Sequence, residues 1–249
     1  MREQTRRFVA GALALAMLVS VFALAPWHAE AQDEATPVAS PEPGAATPQP
    51  TPNRDLLTVP IAILRSEALS QPSVFGPANG TLNQAPDTLD GFFSGVSMRD
   101  FYVRVQFANP VASTEHLFDV GIGFRHVAPD QHWRIIVRSD GSWVLSFAAN
   151  QVRASGLVDG LNLGAGQVNE LELAVVDNTG YLSVNGLYAT MLDLSAHNVA
   201  GDIWVGSGFF TETIVDGAQT NFASFQIWPL GADAAAPGGT PVATPAGQV

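Results

Sequence analysis

Five side chains with the donors that a polyhydroxyl or acidic ligand needs fall at alternating positions of apolar stretches. In Phe101–Phe107, the residues Phe101, Val103, Val105 and Phe107 make one face, which leaves Tyr102 and Arg104 on the other. The same alternation sets Arg125, Arg134 and Arg138 opposite an apolar register of Ile122, Phe124, Trp133, Ile135 and Val137. Arginine offers a planar fork of N–H donors, and tyrosine offers a ring that stacks and a hydroxyl. An outward sheet face carrying Tyr102, Arg104, Arg125, Arg134 and Arg138 is therefore the candidate ligand-binding surface. The competing reading makes these arginines solvated strand positions paired with Glu172 or Asp119. Trp133 and Trp143 share the apolar register and are expected in the core. Trp204 and Trp228 lie on the other register, either packed beneath a loop or exposed as binding aromatics.

Other chemistries find less support. Glu170 and Glu172 flank Leu171 on one face of a strand, about 6.6 Å apart at two residue rises. That separation is near what glycoside hydrolysis asks of a carboxylate pair. The mature histidines, His116, His126, His132 and His197, form no i,i+4 pair, and no cysteine can complete a zinc site. His126 and His132 flank the loop 127–131 and could approach across it; they are read as loop and strand-end histidines in water. No G-x-S-x-G elbow, S-x-x-K or phosphate-binding loop occurs. No catalytic residue and no metal ligand is assigned, and no cofactor is expected.

The elements that must position these groups are strands. Alternation recurs at Val120–Phe124, Trp133–Val137, Trp143–Phe147, Leu171–Val175, Leu182–Val184, Ile203–Val205 and Phe225–Ile227. Asp140-Gly141 and Asn185-Gly186 suit two-residue hairpin turns, and Asn178-Thr179-Gly180 suits a longer one. Thr58–Leu69, interrupted by Pro60, reads as a strand or an irregular lead-in. Many short strands in one domain of this length mean an all-β, two-sheet antiparallel sandwich. The order Gly123-Phe124-Arg125, aromatic-led strand, Ser139-Asp140-Gly141, then Val184-Asn185-Gly186 resembles the laminin-G-like group of the concanavalin A-like lectin and glucanase superfamily. It is also similar to the related bacterial 3-keto-disaccharide hydrolase-type domains. The resemblance covers about 92–230 and implies a jelly-roll sandwich. The glucanases of that superfamily carry an E-x-D-x-E strand, and here only Glu170-Leu171-Glu172 is present. Laminin-G-like relatives often hold one calcium through loop oxygens, so Asp119, Asp130 and Asp216 are candidate ligands by resemblance.

Composition sets the setting. Arg2, Arg6 and Arg7 precede the uncharged run Phe8–Ala25 of 18 residues, and Ala29-Glu30-Ala31 is an A-x-A cleavage site. Residues 1–31 read as a signal peptide; an uncleaved anchor is the alternative. Residues 32–53 form a Pro/Ala/Thr-rich disordered linker and 231–249 a disordered tail of the same character. The folded domain spans 54–230. No cysteine and no lysine occur, so the core alone holds the domain. Beyond Ala31 there are 8 Arg against 21 Asp and Glu, a net charge of −13. Such a surface repels nucleic acid and anionic membranes. The expected protein is a bacterial, secreted or extracytoplasmic module, cell-surface association included. Its expected function is non-catalytic recognition, with a glycan or cell-surface polymer as partner. A glycoside-acting hydrolase and a structural or protein-interaction domain are the alternatives. If export proceeds as read, N-terminal sequencing of the secreted protein begins at Gln32; full-length chain in the membrane fraction would establish the anchor instead.

Overall fold

The computed structural model describes residues 54–86, 88–149 and 151–231. The signal, linker and tail readings lie outside the described residues, except for Gly231. Twelve strands build two antiparallel six-stranded sheets. In chain order they are β1 (Phe75–Asn83), β2 (Asp90–Met98), β3 (Phe101–Ala108), β4 (Asp119–Ala128), β5 (Gln131–Arg138) and β6 (Ser142–Phe147). There follow β7 (Gln151–Leu157), β8 (Val168–Val176), β9 (Thr179–Val184), β10 (Leu187–Asp193), β11 (Gly201–Ser207) and β12 (Gln219–Pro229). The first sheet runs β1-β12-β3-β8-β9-β10 and the second β2-β11-β4-β5-β6-β7. The architecture is the all-β sandwich that the alternating pattern implies.

Period-2 alternation builds the core directly. Val103, Val105, Leu173 and Val184 of the first sheet meet Ile122, Phe124, Ile135, Val137 and Leu145 of the second, all essentially without solvent contact. Trp133 and Trp143 join them, as their register requires. Pairing of β3 with β8 sets Val103 opposite Leu173 and Arg104 opposite Glu172, so one register fixes both faces.

The lead-in departs from the reading above. It is a helix, α1 (Arg54–Leu69), with Pro60 inside it. Ile61, Leu64 and Ala68 recur at helical spacing and pack on Tyr102, Ala174, Trp228 and Leu230, a second apolar cluster on the outer face of the first sheet. Arg65 of the helix bridges the buried Glu172, which also accepts a hydrogen bond from the Tyr102 hydroxyl. Pro60 hides the helical period by removing a backbone donor, but tertiary packing on the sheet outweighs that loss.

The turns follow local chemistry with two shifts. Asn185 and Gly186 both adopt positive φ, 50° and 78°, and join Val184 to Leu187 as a two-residue turn. At 138–142 the loop has three residues: the Gly141 N–H donates to Arg138 O at 3.1 Å, and Gly141 takes φ 84°. Between β8 and β9 the turn is Asp177-Asn178, one residue earlier than the glycine suggests, because Val176 pairs with Thr179. No heavy atom lies within 4 Å of a Cβ built on Gly186, so the demand there is purely conformational. Gly186→Val should cost about 1 kcal/mol or more through backbone strain. Chemical denaturation measures it, and an unchanged midpoint would refute the turn assignment.

Candidate functional site

The five candidate residues do not share one surface. Tyr102 and Arg104 sit on the outer face of the first sheet; Arg125, Arg134 and Arg138 belong to the second. Tyr102 does not face solvent, since α1 covers it, and burial followed by the Glu172 carboxylate pushes its hydroxyl well above the usual phenol range. Arg104 lies over the Trp228 ring at 5.6 Å and donates to Gln226 Oε1 at 3.3 Å. Trp228 itself is buried.

Arg125 is the clearest departure from simple alternation. Pairing between β4 and β5 is irregular after Phe124, and Arg125 takes φ 51°. This bulge turns its side chain inward, where it is fully buried. The guanidinium donates to the backbone carbonyls of Arg99 at 3.1 Å and His197 at 3.2 Å, and to that of Asp177. Asp100 stands 3.8 Å away. Arg125 is a staple between loops. Arg138 is ion-paired, but with Asp140 and Glu212, 3.4 Å from each, rather than with Glu172 or Asp119, and it lies over the Phe210 ring.

Arg134 is different. It is 6% exposed, and among the described residues it has no acidic partner. Its Nε–H donates to His132 Nε2 at 2.8 Å. That bond requires His132 to carry its proton on Nδ1, which lies 3.2 Å from Ala128 O. Burial first, then the Arg134 charge, push His132 down to about 4, so it is neutral at pH 7. Burial draws Arg134 to about 10, and it remains a cation. The guanidinium lies over the rings of Trp204 at 5.7 Å and Phe209 at 5.8 Å. Its two terminal nitrogens have no protein partner among the described residues.

Glycines make this arrangement fit. Trp204 lies against the outer face of the second sheet, between Phe93 and Phe209. A Cβ on Gly123 would stand 1.9 Å from the indole, one on Gly206 2.7 Å, and one on Gly91 3.0 Å. The segment 208–213, which carries Phe209, is held by Asp119. That carboxylate accepts from the backbone N–H of Gly208 at 2.7 Å, Phe209 at 3.0 Å and Phe210 at 3.2 Å, and from the Thr213 hydroxyl. Asp119, a candidate calcium ligand by resemblance, is thus a loop anchor. Among the described residues no three His, Asp or Glu side chains gather as a metal site.

Arg134 and Phe209 line a groove of about 360 Å³, together with Thr88, Pro129, Thr211 and Ile214. A hollow of about 540 Å³ beside α1 is lined by Pro60, Ile63, Leu64 and Val176 together with Asp177, Thr179 and Tyr181, and has no arginine fork among its lining. The glutamate pair does not form a catalytic site: Glu172 is buried under α1 on Arg65 and Tyr102, while Glu170 accepts from Gln106 at 2.9 Å. His126 and His132 are not solvated loop residues. Their rings stand 5.1 Å apart beside Phe93 and Trp204, which alternation alone could not show.

No family model matches the sequence, and no curated protein matches it. Solved structures do. The structure from A. japonicus CB05 aligns with TM-score 0.50 at 16% identity, over 68% of this chain and 28% of that one. The fold is a two-sheet antiparallel β-sandwich. The wild-type fructosyltransferase of A. japonicus gives TM-score 0.49 at 16% identity, over 68% of this chain and 28% of that one. The carbohydrate-binding module CBM66 of Bacillus subtilis gives TM-score 0.45 at 11% identity, over 62% of this chain and 96% of that one. The chain thus spans little more than a quarter of the two A. japonicus chains. Likeness at these identities is likeness of fold.

The glycine floor generates a sharp expectation. Gly123→Ala should destabilise the domain by about 2–3 kcal/mol, because neither the indole nor the strand has room to yield. Denaturant unfolding measures this; a cost below about 0.5 kcal/mol would show that Trp204 does not lie on Gly123.

Proposed function

We propose that the protein is an exported, non-catalytic recognition module that binds carbohydrate in the groove at Arg134. One observation carries the reading: a buried guanidinium, held by a neutral histidine and backed by two aromatic rings, lines an open groove and has no protein acceptor for its terminal nitrogens. Sugars present hydroxyls around an apolar ring face. A fork of donors beside the Phe209 ring complements both features. The site stands on strands, and an anchored loop supports it, so it is preorganised. Export, which the N-terminal sequence suggests, would place it where glycans and cell-surface polymers are.

Binding without catalysis is favoured because the described lining residues include no Asp or Glu, and glycoside hydrolysis by the usual route needs two.

A glycan array probed with the exported chain tests it. Arg134→Met keeps an apolar stem on Trp204 and Phe209 and removes the fork, so binding should fall at least tenfold while the fold persists. Arg104→Met, on the other sheet, should leave binding unchanged. Loss of binding in the second variant alone would move the site to the opposite face.

A further inference from the structure

Resting on that reading of the groove, we infer that the sugar it takes is anionic, presenting an oxyanion, a uronate carboxylate or a sulfate ester, to Arg134. Several other arginines of this chain sit beside carboxylates. Arg65 bridges Glu172, Arg99 lies 2.7 Å from Asp100, and Arg138 lies 3.4 Å from Asp140 and Glu212. Acidic residues outnumber basic ones about two to one, so carboxylates are not scarce. Arg104 and the exposed Arg153 also lack a carboxylate, resting on Gln226 and Gln151, but among the described residues only Arg134 is both buried and without one.

The partner it does have preserves its charge. His132 Nε2 accepts from Nε and contributes no negative charge. A carboxylate at that place would neutralise the guanidinium. A neutral ring fixes the fork and leaves its full charge for the groove. With Nε occupied, the two terminal nitrogens offer parallel N–H donors, the geometry that pairs with two oxygens of one oxyanion. A neutral hydroxyl would fill one donor and leave the buried cation uncompensated. An oxyanion fills both and neutralises the charge at the groove wall, with the charge-assisted, two-point pairing that a hydroxyl cannot give.

The rest of the lining agrees. Thr88 and Thr211 add hydroxyls, Phe209 and Pro129 add apolar faces for a ring, and no described lining residue carries a negative charge that would repel the ligand. The net charge of −13 lies elsewhere on the mature chain and is screened beyond about 8 Å at physiological salt.

The test uses the full exported chain in calorimetric titrations at pH 7. One arm compares oligomers of galacturonate, glucuronate and mannuronate with their methyl esters. A second compares a sulfated oligosaccharide with its desulfated form. Esterification or desulfation should weaken binding ten- to hundredfold in at least one arm, and which arm responds identifies the oxyanion. Arg134→Met should bring the acidic form down to the affinity of the neutral one. Arg134→Lys, a point charge without a fork, should fall between them. Circular dichroism checks each variant; if Arg134→Met does not fold, Arg134→Lys and Phe209→Ala carry the comparison. Equal affinity for acidic and neutral forms, both lost on changing Arg134, would overturn the charge preference and leave carbohydrate recognition standing. Preference for the acidic form that survives every change at Arg134 would place the site elsewhere and overturn the inference. No binding in either arm, with an empty glycan array, would overturn the parent reading as well.

Discussion

A tryptophan lying on glycines organises the outer face of the second sheet. Trp204 is fully buried on the side of the sheet that points away from the core, which is possible only because Gly91, Gly123 and Gly206 present no side chain beneath it. Burying an indole removes some 150–250 Å² from water, worth on the order of 4–6 kcal/mol. Its unpartnered Nε1–H gives back about 1–3 kcal/mol. The balance still favours the buried ring, and the ring then dictates its surroundings. Phe93 and Phe209 lie to either side of it, and Arg134 crosses above. A flat aromatic platform of this kind can support a guanidinium that no carboxylate holds.

The two outer faces of the sandwich are finished in different ways. On the first sheet, α1 covers Tyr102, Ala174 and Trp228, and the buried Glu172 meets Arg65 and the Tyr102 hydroxyl, while Arg104 rests on the Trp228 ring and Gln226. That face is a closed interface. On the second sheet the cover is made of side chains and a loop segment, and the buried Arg134 is left with open donors among the described residues. Asp119 shows how the chain stabilises such a loop when it needs to. A single carboxylate collects three consecutive backbone N–H groups and a hydroxyl, and burial still raises its pKa above the usual carboxylate value. The segment that carries Phe209 is therefore fixed from below, and the groove wall with it.

How much of this could be read from the sequence depends on the range of the interaction. Strand alternation is local, and it located Val103, Val105, Ile122, Phe124, Ile135, Val137, Leu145, Leu173 and Val184 in the core. Asn185-Gly186 is local too, and its turn stands where expected. Alternation misplaced Arg125, because a bulge is a one-residue change of phase that leaves no pattern in composition. It put Tyr102 on an outward face correctly but could not show that α1 would cover it, since Pro60 masks the helical period. Arg134 was visible as a candidate. What makes it a site was not: Phe209 and Thr88 come from segments distant in sequence, and His132 is buried against Arg134 rather than solvated. The glycines were a usable signal in hindsight. Gly121, Gly123 and Gly206 interrupt strands that otherwise favour large residues, and glycine inside a strand often marks a close approach by another group.

Stability alone does not explain Arg134. Removing a guanidinium from water without an opposing charge is costly, and an apolar residue of similar length would fill the space over Trp204 and Phe209 without that cost. The same fold shows the cheaper solutions: Arg138 is paired at the surface, and Arg125, though buried, donates to several carbonyls and stands near Asp100. A chain that satisfies its other buried cation so fully, and retains one that it does not, holds the second for something outside itself. Strongly perturbed, incompletely paired groups in clefts are where binding energy can be gained on contact with a ligand. The ligand would contribute the acceptors that the protein omits. The cost borne by the free domain is then part of the recognition, because it is recovered only by a partner with the right charge and shape.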